Sequence, residues 1–588
     1  MKENYYDVVI CGAGIAGLTL ARQLKHQLPD ISIVLLDRLS RPLPEATFKV
    51  GEATTELGSY YLTEILQLED YLEAKHLRKL GLRLFFGDSH GRFQDRPEAG
   101  VSRFLAPYAY TLDRGIVEND LRKLNIEAGM ELLEDCFIKH IDLAENAGST
   151  HQISYKQGES KELKVLRAHW VIDAMGRRRF LQKKLGLSKP NNPKYNAVWF
   201  RIDDRVDVSA FVPQTEKQWH DRVPDNNRYR ATNHLCGNGY WVWIIALPSK
   251  FTSIGIVADG DIHPFNSYNT YEKAYQWMKT NEPALAEALR NLPPVDFKKM
   301  GQYSYSSKQV FSINRWACVG EAGVFSDPLY GTGMDQIGFG NMLAAQIIER
   351  DLANQLTQKT VDDANLFYLT YNDGLANNIH HTYHCFGNGV VTSMKVLWDT
   401  LAGWSFSGPM MFNSLYLDPA GRSRIRKGSG MFFLLAQRIQ RLFQDWSARS
   451  MKRVSFGYLD YLKFPFFRQA RLQNLKQKTE QELINDYFDS LLLLEDLAQA
   501  IFLLAVADTM PAELDRLSST DGLNVYAISL CPERWEKDGL FKPKSSPRDL
   551  RRVMEPLREI FQVPEPVFDF GINRTLAENA INLAPEHV

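Results

Sequence analysis

The stretch DVVICGAGIAGLTLARQL, residues 7–24, limits the possible folds more than any other part of this chain. An apolar, β-branched run leads into Gly12-x-Gly14-x-x-Gly17, an amphipathic helix follows, and ISIVLLD (31–37) supplies a second strand ending at Asp37. The glycines permit a tight turn and let the backbone approach a pyrophosphate at the helix N-terminus. Asp37, twenty residues after Gly17, is spaced to accept hydrogen bonds from a ribose hydroxyl. A βαβ unit of this kind predicts an α/β fold with a Rossmann-type dinucleotide-binding domain. The other close glycine pairs, Gly387-Asn-Gly389 and Gly428-Ser-Gly430, lack a preceding strand and a following acid. One dinucleotide is therefore expected, without a dedicated nicotinamide domain.

At 588 residues the chain is long enough for two or three structural units. Its hydrophobic fraction of 44% and charged fraction of 24% are those of a soluble globular protein. A net charge of −1 gives no electrostatic argument for a nucleic-acid partner. The six cysteines (Cys11, Cys136, Cys236, Cys318, Cys385 and Cys531) are scattered, with no CxxC pair and no metal-ligand spacing. That pattern predicts a reduced, cytoplasmic setting with neither a disulfide framework nor a metal site. MKENYYDVVICGAG runs straight into a strand, so no signal peptide is expected. The apolar stretch 487–510 carries Asp489, Glu495, Asp496 and Asp508, which predicts a buried amphipathic helix rather than a membrane span.

Three later segments extend the pattern. TLDRGIVENDLRKLNIEAGMEL (111–132) reads as a strand end and a helix, and HWVIDAMGRRRFLQKKLG (169–186) as a strand closing at Asp173. Residues 315–352 read as strand, glycine-rich loop with Gly320-Glu321, and long helix. Together these resemble the flavoprotein monooxygenase fold of the p-hydroxybenzoate hydroxylase type. The resemblance implies FAD, its adenosine part on the Gly12–Asp37 unit and its ribityl chain and ring on the late loop. It also implies cofactor contacts from Arg114, Asp173, Gly320 and Glu321. The family usually has Asp where this chain has Glu321, which can still accept a ribityl hydroxyl. Between about 190 and 310, NAVWFRID, GYWVWIIALP and FTSIGIVAD predict a β-sheet substrate layer, and from about 359 helical patterns dominate. The expected division is an FAD-binding core over 1–358, with the sheet layer inserted, and a mainly helical substrate or lid unit over 359–588.

Four shorter motifs, in order, are similar to those of flavin-dependent halogenases. FKVGEATTELG (48–58), with Glu52, matches a VGE-S/A-T segment. Lys79-Leu-Gly81-Leu-Arg-Leu-Phe-Phe-Gly87 matches the K-x-G-x-x-F-x-x-G of phenol-type members, with Leu84 in the aromatic position. Trp241-Val-Trp243-Ile-Ile245 resembles W-x-W-x-I-P, with Ala246 in place of Pro, and DPLYGTGM (327–334) matches the D-P-L-x-x-T/S-G loop. The resemblance implies an enzyme that uses reduced FAD, O2 and chloride or bromide to make hypohalous acid and halogenate an electron-rich ring. Thr332 and Gly333 match the halide-binding pair, and backbone N–H groups before a helix are suited to an anion. Alone, Lys79 among Leu, Arg and Phe reads as a surface lysine. In the family reading it captures hypohalous acid, with burial lowering its pKa. Trp241 and Trp243 project from one face of a strand, as core residues also would, and here would separate flavin from substrate.

Tyr330 stands where tryptophan halogenases carry a substrate-recognising Glu, which points toward a phenol or pyrrole, free, carrier-tethered or within a peptide. The implied partner is a separate flavin reductase. His380, His381 and His384 are open candidates for a general base; they lack a third ligand for a metal. The rival readings are an aromatic hydroxylase or epoxidase, a prenyl reductase of the same fold, and a flavin-binding protein without turnover.

Overall fold

The computed structural model describes residues 4–145, 148–160, 162–191, 194–518, 522–542 and 550–563. Its first sheet grows from the strand Tyr5–Cys11, which pairs in parallel with Ile33–Leu36 on one side and Lys164–Asp173 on the other. Glu131–Leu133 and Trp316–Cys318 extend the parallel set outward. Val8, Val9, Ile10 and Cys11 are fully buried, as expected for a parallel sheet covered on both faces. The helix Ile15–Gln27 packs so closely that a Cβ on Gly17 would lie 2.1 Å from the Gly12 carbonyl oxygen.

A second sheet of eight strands is built mainly from Tyr195–Ile202, Thr252–Asp259, Tyr240–Ala246 and Thr232–Gly237, each antiparallel to the next. The first three are the aromatic and β-branched runs expected in the substrate layer; Thr232–Gly237 was not expected as a strand. Leu82–Phe85 adds in parallel to Thr232–Gly237, and Glu98–Gly100 follows. A two-stranded ribbon, Leu77–Lys79 with Ala109–Thr111, lies apart and carries Lys79 opposite Ala109.

After residue 358 the described structure is dominated by helices, among them Gln358–Ile379, Gly389–Ala402, Pro419–Arg449 and Glu480–Thr509. Residues 564–588, part of the expected helical unit, lie outside the described residues. The short strand Tyr458–Asp460 pairs with Glu98–Gly100, so the late region is stitched into the second sheet. One apolar core runs without interruption from the first strand into these helices.

Glu480–Thr509 opens with a reciprocal Thr479–Glu482 capping box. By length and composition it is long and apolar enough to cross a membrane, yet 78% of its most apolar window is buried against the rest of the protein. Three of its acids have partners inside: Glu495 accepts from Tyr526, Asp496 pairs with Arg552, and Asp508 accepts from Trp446 and Ser450. Asp489 faces solvent. The six cysteines are free thiols.

Candidate active site

Both sheets open onto one cavity of about 720 Å³. One end is lined by Gly12, Gly14, Asp37, Arg38, Arg177 and Arg178, the other by Lys79, His234, Trp241, Trp243, Tyr330 and Gly331. Gly12 has φ +114°, and a Cβ there would stand 2.4 Å from the Ala174 oxygen. The helix behind it has Gly14 as N-cap, no capping side chain and no acid in its first turn. Its first N–H groups are thus left for an outside acceptor. Asp37 accepts from the N–H groups of Ala13 at 2.7 Å and Leu39 at 2.8 Å, which fixes its carboxylate at the lip of the turn. These residues fit the diphosphate and ribose of FAD.

Gly320 (φ +56°) and Glu321 line the middle of the cavity. Arg114 does so too, held by the Val50 oxygen and Glu118, each at 2.6 Å. Two expected cofactor residues act from behind the wall instead. Asp173 is fully buried and accepts from the Met175 and Leu181 N–H groups, so it shapes the loop that presents Met175, Arg177 and Arg178. Burial raises its pKa to about 6. Gly17 serves the helix–strand contact. Arg38, Arg177 and Arg178 were not identified from the sequence; the last two stand in a basic run beside a predicted loop, and Arg38 only follows Asp37.

At the other end Lys79 is 6% exposed, and its ammonium donates to the Thr54 carbonyl at 2.6 Å. Burial lowers its pKa to about 8, against the pull of Glu56 and Asp335. A Cβ on Gly331 would lie 4.0 Å from Lys79 Nζ and 3.0 Å from the Ala53 oxygen. The lysine and the DPLYGTGM loop, far apart in sequence, therefore abut. Gly331 donates its N–H to Pro328 at 3.1 Å, closing the turn, and so contributes shape rather than a donor. The helix Gly333–Leu352 begins at Thr332 without a side-chain cap among the described residues, none of which lies within 4 Å of a Cβ built on Gly333. Gly333 faces the cavity, whereas the Thr332 side chain is not part of its wall. Asp335, in the first turn, accepts from Thr55 Oγ1 at 2.6 Å, and burial raises its pKa to about 7.

Trp241 and Trp243 project from one face of their strand with ring centroids 5.8 Å apart. Glu52 reaches Trp243 indirectly. It is paired with Arg201 at 2.6 Å and accepts from Ser253 at 2.9 Å, and Trp243 Nε1 donates to Ser253 at 3.1 Å. His234 completes the wall, its ring 5.1 Å from Trp241. Burial, and secondarily the charge of Lys79, lowers its pKa to about 3, which keeps the imidazole neutral. A single histidine in an apolar strand carries no sequence signal, and His234 was missed for that reason. His380, His381 and His384 do not line the cavity.

The family model described as tryptophan halogenase matches residues 86–383, half of the chain. The chain belongs to that family. It is a flavin-dependent halogenase, an enzyme that works with FAD, halide and O2. Among its relatives is the flavin-dependent halogenase chlA of Dictyostelium discoideum, 26% identical over 443 residues, covering 71% of this chain and 72% of that one. Another is the 1H-pyrrole-2-carbonyl-(peptidyl-carrier protein) chlorinase of Pseudomonas fluorescens, 25% identical, covering 61% of this chain and 79% of that one. The fold is shared with halogenase PltM, solved in complex with phloroglucinol and FAD. Its TM-score is 0.58 at 17% identity, covering 87% of this chain and 99% of that one.

Proposed function

We propose that this halogenase makes hypohalous acid beside the Gly331–Gly333 loop and delivers its halogen, through Lys79, to a phenolic or pyrrole-type ring. The carrying observation is the 4.0 Å approach of a Gly331 Cβ to Lys79 Nζ, inside the cavity that also holds the Gly12–Gly14 turn. Reduced FAD bound there supplies, with O2, the oxidation of halide to hypohalous acid. The N–H groups at Thr332 and Gly333 hold the halide as the first donors of an uncapped helix. Lys79, dry and close to neutral pH in its titration, hydrogen-bonds the small oxidant and keeps it from escaping. Trp241 and Trp243, the latter braced by Glu52 through Ser253, pack the ring and keep it away from the flavin. The helices after 358 stand behind this end of the cavity, with Asp399 accepting from Tyr330, and would form the substrate unit.

A pyrrole on a carrier protein is the substrate named for two relatives, and phloroglucinol, a phenol, occupies the PltM structure. Both chemistries suit a wall of aromatic rings around one ammonium. The reduced flavin comes from a separate reductase, in keeping with the single dinucleotide fingerprint.

The test supplies FAD, NADH, a flavin reductase, O2 and bromide, and follows ring products by mass and hypobromous acid by trapping. Wild type should add bromine to a phenol or pyrrole. Lys79→Ala should still release hypobromous acid but lose ring halogenation by about 10²–10⁴-fold, the range for a positioned proton-transfer group. Products that gain only oxygen in both proteins would end this reading.

A further inference from the structure

Tyr330, two residues before Thr332, has φ +69° and ψ −12°. A side-chain-bearing residue rarely adopts that conformation unless its surroundings enforce it. Its side chain is held by the late helices. Tyr330 donates its O–H to Asp399 Oδ2 at 2.8 Å. Asp399 also accepts from Lys395 Nζ at 2.6 Å and from Gln440 Nε2 at 2.7 Å. Lys395 is fully buried and donates further to the Asn378 carbonyl at 2.7 Å and to Gln440 Oε1 at 2.8 Å.

Three helices thus converge on one closed polar cluster: Asn378 from Gln358–Ile379, Lys395 and Asp399 from Gly389–Ala402, and Gln440 from Pro419–Arg449. Burying an ion pair generally gains little stability over apolar packing, so packing alone is a poor account of it. A fully satisfied cluster does fix geometry, because each group has one arrangement that leaves none unpaired. Toward the cavity wall the cluster holds Tyr330, which enters the halide-facing loop.

We propose that Asp399, fixed by Lys395 and Gln440, is a positioning residue that acts through Tyr330 to aim the Thr332 and Gly333 N–H groups into the cavity. Releasing Tyr330 lets φ relax toward the negative region and rotates the start of the Gly333–Leu352 helix. The late helices thereby set halide affinity without touching halide. This rests on the halide reading of the loop given above.

The test measures hypobromous acid formation against bromide concentration, without aromatic substrate, for wild type, Tyr330→Phe, Asp399→Asn and the double variant. FAD affinity is followed in parallel by flavin fluorescence. Each single change should raise the bromide concentration for half-maximal rate by about ten-fold or more, the worth of one hydrogen bond to a charged group. The rate should recover as bromide is raised. The double variant should be no worse than the worse single one, since both changes cut the same link. FAD affinity should stay within roughly two-fold, a shift below 0.5 kcal/mol.

Asp399→Asn leaves Lys395 short of its counter-charge; if that protein does not fold, Tyr330→Phe, which keeps the ion pair, carries the test. An unmoved bromide midpoint in Tyr330→Phe overturns the positioning role. A wild type that forms no bromide-saturable oxidant overturns the halide reading itself, and this inference with it.

Discussion

The two ends of the cavity are built by opposite means. At the nucleotide end, the binding groups are backbone N–H donors at a helix start, a carboxylate fixed by the turn it borders, and arginines at the wall. They lie close in sequence, or just beyond a neighbouring strand. At the proposed reaction end, Lys79, the hairpin that carries His234 and Trp241, and Tyr330 come from three segments far apart in the chain, and Lys79 and His234 are buried. Binding a polyanion needs donors that a local turn can supply. Altering the proton affinity of a lysine needs water excluded on every side, and only several packed segments achieve that.

The largest break in this contrast should come at the nucleotide end, from Gly12→Ala. The added methyl must sit at positive φ and 2.4 Å from the Ala174 oxygen. Backbone strain and overpacking together cost about 3 kcal/mol. FAD affinity measured by fluorescence should fall by roughly 100-fold, while Lys79 and its surroundings, on other segments, keep their arrangement.

At the reaction end the expected effect has the opposite sign for stability. Lys79 has its folded pKa depressed from 10.5 to about 8, so below pH 8 folding carries the cost of a buried charge. Between pH 8 and 10.5 the unfolded chain binds the extra proton, so wild-type stability rises with pH through that window. Lys79→Met removes the cost. It should be more stable than wild type at pH 7 by up to about 3 kcal/mol, with the difference closing between pH 8 and 10.5 in paired denaturation curves. A constant difference across that range would mean that the lysine is well solvated and that the contrast between the ends is overstated.

Asp37→Asn should give the smallest effect. The amide oxygen can still accept from one of the Ala13 and Leu39 N–H groups, and the charge opposite Arg122 at 3.4 Å is lost. FAD should bind about ten-fold more weakly, the worth of one charge-assisted hydrogen bond, and titration of the apoprotein checks this. An effect equal to that of Gly12→Ala would show that the carboxylate, not the backbone turn, dominates this end.

The sequence by itself determined the βαβ unit, because a turn that brings backbone to a pyrophosphate needs glycine at fixed spacing and a strand and helix on either side. It likewise determined the three long strands of the second sheet, whose aromatic and β-branched content leaves no other element. Its ordered short motifs put forward Lys79, Trp241, Trp243 and Tyr330 as candidates, which line the same cavity, and the family match agrees with the activity those motifs imply. Tertiary structure alone decided how those residues meet. Asp173 and Glu52 are acids beside motifs in the sequence, but burial turns one into a loop brace and the other into a support for Trp243 through Ser253. His234, and the Lys395–Asp399–Gln440 cluster behind Tyr330, have no local signature at all. Their roles depend on which distant groups lie within hydrogen-bonding range and on the exclusion of water, and neither is a property of neighbouring residues along the chain.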